Sequence, residues 1–153
     1  MEDLIAELRT LLNGGGAHVS FKEATSGIPF KMLGEAPHGL PYSIWQLVEH
    51  IRIAQWDMLE FSRDAGHTSP EWPKGYWPSE SAPSDEPAWL RTLEKIGDDL
   101  EAFMTLLETE DLYKPFPYGN GQNILREALQ IADHNAYHIA EIVMIRRLLG
   151  IWK

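Results

Sequence analysis

From Asn123 to Leu149 the chain carries neither proline nor glycine, and the run stops at Gly150. Within it, LREALQIADHNAYHIAEIVMIRRLLG repeats apolar residues at helical spacing, which predicts one long helix over 123–149. A helix with one apolar face is stable only where other elements cover that face. The rest of the chain must therefore supply matching stripes.

It does so three times. Leu4, Ile5, Leu8, Leu11 and Leu12 mark a first helix, ended by Asn13-Gly14-Gly15-Gly16, residues that accept left-handed backbone. Ser43 followed by Gln46 has the form of a capping box, and Leu47, His50, Ala54, Asp57 and Phe61 then share a face, giving a second helix over about 43–65. Trp89, Leu93, Ile96, Leu100, Phe103 and Leu107 alternate threes and fours, the seam of a third helix over 86–109 that packs nearly parallel to its neighbours. No segment reads as a strand of comparable quality. The expected fold is all-α, a four-helix bundle in a single domain over 1–153.

Two connections are long. Residues 17–42 read as a crossover between helices 1 and 2, with a short helix near His18 to Ala24. Residues 66–87 hold Pro70, Pro73, Pro78, Pro83 and Pro87 together with Trp72, Tyr76 and Trp77. That Pro/Trp-rich loop between helices 2 and 3 exceeds the roughly 12–15 residues usual for a connection without a task. It reads equally as a cover over one end of the core or as a lid over a binding site.

The long helix places His134 and His138 four residues apart, turned by about 40° and advanced by about 6 Å, so both can reach one ion. Ile131, Ile145 and Leu149 fall on the same face, which is the face to be buried. Burying two imidazoles costs free energy unless each finds a partner. A third ligand has to come from another helix, and His50, on the apolar face of helix 2, is the natural candidate. Three imidazoles would leave a coordination position open for water or substrate. On spacing alone, a plain buried pair and a metal pair stand level.

Two familiar metal-helix patterns are missing. A zincin carries Glu directly after its first histidine, where this chain has Asn135, and none of the four helices carries the Glu-x-x-His of di-iron bundles. The chain has no cysteine, which removes disulfides, thiolate zinc sites and a cysteine nucleophile and leaves chemistry to His, Asp, Glu, Ser and Tyr. Thirteen Lys and Arg against 23 Asp and Glu give a net charge of −10, spread along the chain, which opposes binding to nucleic acid or anionic membrane. The acidic start MEDLIAELRTLL lacks the basic flank of a signal peptide and a run of spanning length, so a soluble, cytoplasmic protein is expected.

SIWQLVEHIRIAQWDML in helix 2 and DHNAYHIAEIVMIRRLLGIW in helix 4 resemble the DinB-like (damage-inducible) metal-binding four-helix bundle proteins. That family places one histidine in helix 2, five residues after a Trp or Leu, and two in helix 4 spaced four apart, matching His50, His134 and His138 here. The resemblance covers nearly the whole chain. Where many members continue with Arg-Gly-Gln, this chain has Ile139-Ala140-Glu141.

The resemblance implies a divalent metal ion on the three histidines, zinc or nickel foremost, with iron or manganese also compatible with imidazole. It further implies a homodimer and a small-molecule substrate. Members with known activity handle an external low-molecular-weight thiol, as S-transferases or an isomerase, and others are described as metal-dependent hydrolases. A non-catalytic, metal-stabilised binding or stress-response bundle is the competing expectation.

Around these histidines, Glu141 lies three residues past His138 on nearly the same face. It could accept a hydrogen bond from water at the metal or act as general base, so it is the candidate catalytic residue; an ion pair with an arginine is the plainer reading. Asp57 is about 10 Å along the helix from His50, too far for the same ion. Asp133 turns about 100° away from His134 and is not expected as a ligand. Tyr137, Trp45 and Trp56 read as core or interface aromatics, and His18, His38 and His67 as solvated loop histidines. Arg146 and Arg147 complement the carbonyl end of the last helix.

Overall fold

The computed structural model describes residues 1–152, and these form an all-helical bundle with no strand among them. Four helices build it: α1 (Glu2–Leu12), α3 (Ile44–Arg63), α4 (Glu86–Thr109) and α5 (Ile124–Leu148). The crossover between α1 and α3 contains the short α2 (Phe21–Thr25) and two single 3-10 turns. Among the described residues no helix is long and apolar enough to cross a membrane.

Local chemistry explains the boundaries. Ser43 and Gln46 form the expected capping box, which starts α3 at Ile44. Ser20 and Glu23 form a second one, which starts α2 at Phe21, later than the expected His18. Asp85 and Asn123 cap α4 and α5 by accepting the backbone N–H of Ala88 and Arg126. Gly14, with φ of 110°, turns the chain out of α1, and a side chain there would meet Ser20 at 3.0 Å.

α3 is the central helix, packed against both α4 and α5, while α1 lies across α4 and α5. The apolar core divides into two parts along the bundle. One gathers Ile44, Val48 and Ile51 of α3 with Trp89, Ile96, Ile142 and Ile145, and is covered by the crossover through Ala24 and Leu33. The other gathers Leu8 and Leu12 of α1 with Leu59, Phe103, Leu107 and Ile131.

Between the two parts on α3 and α5 lies a polar layer: His50 and Gln55 face His134, Asn135 and His138. Gln55 is fully buried, donates to the Ile96 carbonyl at 2.8 Å and accepts from Asn135 Nδ2 at 2.9 Å, so one side chain ties α3 to both α4 and α5. Arg146 lies in the last turn of α5 as expected and does more than complement the helix end. It is buried, donates to the carbonyls of Glu23, Ala24 and Ile151, and lies 4.7 Å over the Trp152 ring, pinning the crossover to α5.

Candidate metal centre

α3 and α5 run side by side, and the faces anticipated from periodicity bring His50 against His134 and His138. One ring nitrogen of each lies within 4.8 Å of the other two. The Nε2 atoms of His50 and His134 are 3.0 Å apart, and the His138 ring stands edge-on to both, with centroids 4.6 and 4.5 Å away.

Hydrogen bonds orient two of the rings. His50 Nδ1 is 2.9 Å from the Tyr76 carbonyl, which can only accept, so the proton of neutral His50 sits on Nδ1 and Nε2 offers a lone pair. His138 Nδ1 is 2.6 Å from Glu141 Oε2, which likewise leaves its Nε2 free. Glu141 thus pairs with a histidine rather than with an arginine, and it is not among the residues lining the cleft above the cluster.

The third ring has no such support. His134 Nδ1 is buried without a hydrogen-bond partner, and so is the Asn135 Oδ1 of the next residue. With His50 Nε2 as acceptor and no ion present, the 3.0 Å contact requires a hydrogen on His134 Nε2. With the proton of His134 on Nδ1 instead, both Nε2 atoms would offer lone pairs, a donor set that fits a divalent ion.

Electrostatics favours the neutral rings that ligation needs. Burial, and then the neighbouring His138 and His50, pull His134 down to about 4. Burial and His50 pull His138 down to about 4 as well. His50 is lowered by burial, against the opposing effects of the Tyr76 carbonyl and Glu141. Burial raises the Glu141 carboxyl above its ordinary value.

The 66–87 loop packs Trp77 against the core and lines the cleft above the histidines with Trp72, Pro73 and Trp77. Trp77 stacks on His50 at 3.9 Å and 4°, and Tyr42 stacks on the other side of Trp77 at 3.8 Å and 10°. Asp57 holds the loop in place through His67 Nε2 at 2.7 Å and the Tyr76 hydroxyl at 2.6 Å. His67 is therefore not a solvated loop histidine, and Asp57, too distant for the ion, fixes the segment whose carbonyl orients His50.

Above the histidines opens a cleft of about 560 Å³, walled by Tyr42, Trp72, Trp77 and Tyr137, with Gln130 and Asp133 along it. Tyr137 is 66% exposed and walls this cleft, the sharper of the two readings open to it, while Trp45 is buried. His18 and His38 are exposed and stay outside the cluster. Sequence reasoning missed Tyr42, Trp77 and the Tyr76 carbonyl. The density of aromatics in 66–87 marked the loop, but nothing in the pattern said which ring would meet His50.

Residues 19–142 match the family model described as the DinB superfamily. No curated protein and no solved structure matches the chain. The matched span contains all of α3 and α4 and the part of α5 that carries His134 and His138, and the chain belongs to the DinB superfamily.

Proposed function

We propose that the protein is a metal-dependent enzyme acting on a small molecule, with His50, His134 and His138 as the ligands of a divalent ion. The observation that carries this reading is the convergence of three ring nitrogens within 4.8 Å at the floor of an open cleft. A divalent ion held there would lower the pKa of a thiol or of water and supply a nucleophile at neutral pH.

With no cysteine in the chain, a thiol reaction takes its sulfur from an external low-molecular-weight thiol, giving S-transfer; with water in that role the reaction is hydrolysis. The protein's own contribution is positional. The Tyr76 carbonyl and the Glu141 carboxylate set the tautomers of His50 and His138, and Trp77 holds the His50 ring by its face. Glu141 bonds His138 and does not line the cleft, so orientation of that ring is its first role.

The test is elemental analysis of tag-free protein beside the His134→Ala/His138→Ala variant, followed by turnover assays of metal-loaded protein with thiols and esters. A stoichiometric ion lost in the variant, with turnover abolished by His50→Ala, is the expected result. Absence of any bound ion after loading with zinc, nickel, iron or manganese would overturn the reading.

A structural ion is the second reading, favoured by the position of the cluster between the two parts of the core. It predicts that chelation lowers the melting temperature markedly while no small molecule competes for the ion. A ligand-accessible position in the spectrum of the cobalt-substituted protein would count against it.

A further inference from the structure

The cleft above the histidines is chemically one-sided. Four aromatic side chains wall it, Asp133 contributes a carboxylate, and among the described residues no lysine or arginine lines it. Two of those walls, Trp72 and Tyr137, are 72% and 66% exposed. Large rings left in water at the mouth of a cavity are unusual unless something covers them.

Aromatic faces carry negative potential, and a carboxylate beside them adds to it. At the mouth of the cleft an anionic group would find no cationic side chain among the described lining residues and would meet Asp133, within a chain of net charge −10; the attraction of an ion on the histidines would act at the floor, on the reacting end of the substrate. A wholly apolar compound would leave Asp133 and Gln130 without a partner. A compound with a positive head on an apolar frame meets both demands, its charge against the rings and Asp133.

We infer that the substrate of this cleft is a small organic cation, an ammonium or quaternary ammonium compound, recognised by Trp72, Tyr137 and Asp133. This deepens the metal-enzyme reading and rests on it for the chemistry: the cationic head lies toward the aromatic mouth, and the reacting, electron-rich end faces the histidines. Asp133 turns away from the ion and toward the substrate, a use for a residue that α5 presents to solvent next to His134.

The experiment compares choline with its neutral isostere 3,3-dimethylbutan-1-ol and with the anion 3,3-dimethylbutanoate. Binding is followed by calorimetry on the metal-loaded wild type and on the His134→Ala/His138→Ala variant, with metal content measured on each sample. Choline should bind about tenfold more tightly than the neutral alcohol, the scale of a cation over aromatic faces, and the anion most weakly in the His134→Ala/His138→Ala variant, where no ion is held to ligate its carboxylate. Asp133→Asn and Trp72→Ala, both at exposed positions, should each reduce that preference severalfold.

Equal binding of choline and the alcohol by metal-loaded protein, or preference for the anion by the His134→Ala/His138→Ala variant, overturns the inference and leaves the metal site standing. A preference for choline in protein that takes up no metal upholds the cation cleft while the proposed chemistry fails. A preference untouched by both Asp133→Asn and Trp72→Ala overturns the assignment to this cleft.

Discussion

Gln55 offers the sharpest test of how the polar layer is held. Its side chain is fully buried and makes two hydrogen bonds, to the Ile96 carbonyl and from Asn135 Nδ2. Gln55→Leu keeps the volume nearly constant, so little of the effect should come from a cavity. The Ile96 carbonyl lies in mid-α4, where helical bonding continues to serve it. Asn135, whose Oδ1 already lacks a partner, would lose its remaining one. Stranding a buried polar group costs about 1–3 kcal/mol, and the added apolar surface offsets only part of that, so a loss of about 2 kcal/mol is expected. For a chain of this size the melting temperature should fall by roughly 4–8 °C. Melts run in chelator keep metal linkage out of the comparison. Asn135→Ala in the Leu background removes the stranded amide, so the double variant should be less destabilised than the sum of the singles. A fully additive cycle, or a Gln55→Leu protein as stable as the wild type, would show that this network does not hold the three helices together.

Four further outcomes are expected. Glu141→Ala removes the acceptor at His138 Nδ1 and should weaken metal binding about 10–100-fold in chelator competition, with partial recovery in Glu141→Gln; an unchanged affinity would deny Glu141 its orienting role. Asp57→Ala frees both His67 and Tyr76, so limited proteolysis within 64–80 should accelerate and metal affinity should drop with it; a loop as resistant as before refutes the clamp. Glu127 is buried, and desolvation, reinforced by Asp57 and opposed by Arg126, raises its pKa above 4.5. Its stability contribution is fully present below pH 4.5 and lost as pH rises through the folded value, so Glu127→Gln should raise the melting temperature at pH 7 and gain little near pH 4; a pH-independent change contradicts this. Sedimentation should give a homodimer, and a mass near 17.4 kDa at working concentration would refute that expectation.

The bundle was legible because its helices are long and their apolar stripes regular. Trp89 to Leu107 gives α4 with both ends as expected, since Asp85 caps it and the apolar stripe continues regularly past Gly97. α5 differs from the expected 123–149 only at its caps, Asn123 and Leu149. The crossover was harder, because α2 has five residues and owes its place to Ser20, Glu23 and the carbonyls that Arg146 captures from α5. That last contact joins residues more than 120 positions apart, and no local pattern announces it.

The site divides along the same physical line. His134 and His138 share a face by helix geometry, and His50 shares its face with Leu47 and Ala54, so meeting across the α3 and α5 contact required only that the two apolar faces pack. What orients the rings follows no period. Tyr76 and Trp77 are delivered by an irregular loop, and their placement depends on Asp57, seven residues beyond His50 on α3, binding two loop side chains at once. Asp57 is too distant for the ion, and it forms the ion pair that is the plainer expectation for such a residue, with His67. Its influence passes instead through Tyr76, whose hydroxyl meets Asp57 and whose carbonyl meets His50, so one loop residue carries the constraint back along α3. A loop fixed in that way can also present Trp72 to the cleft, which links the orientation of His50 to the shape of the cleft mouth.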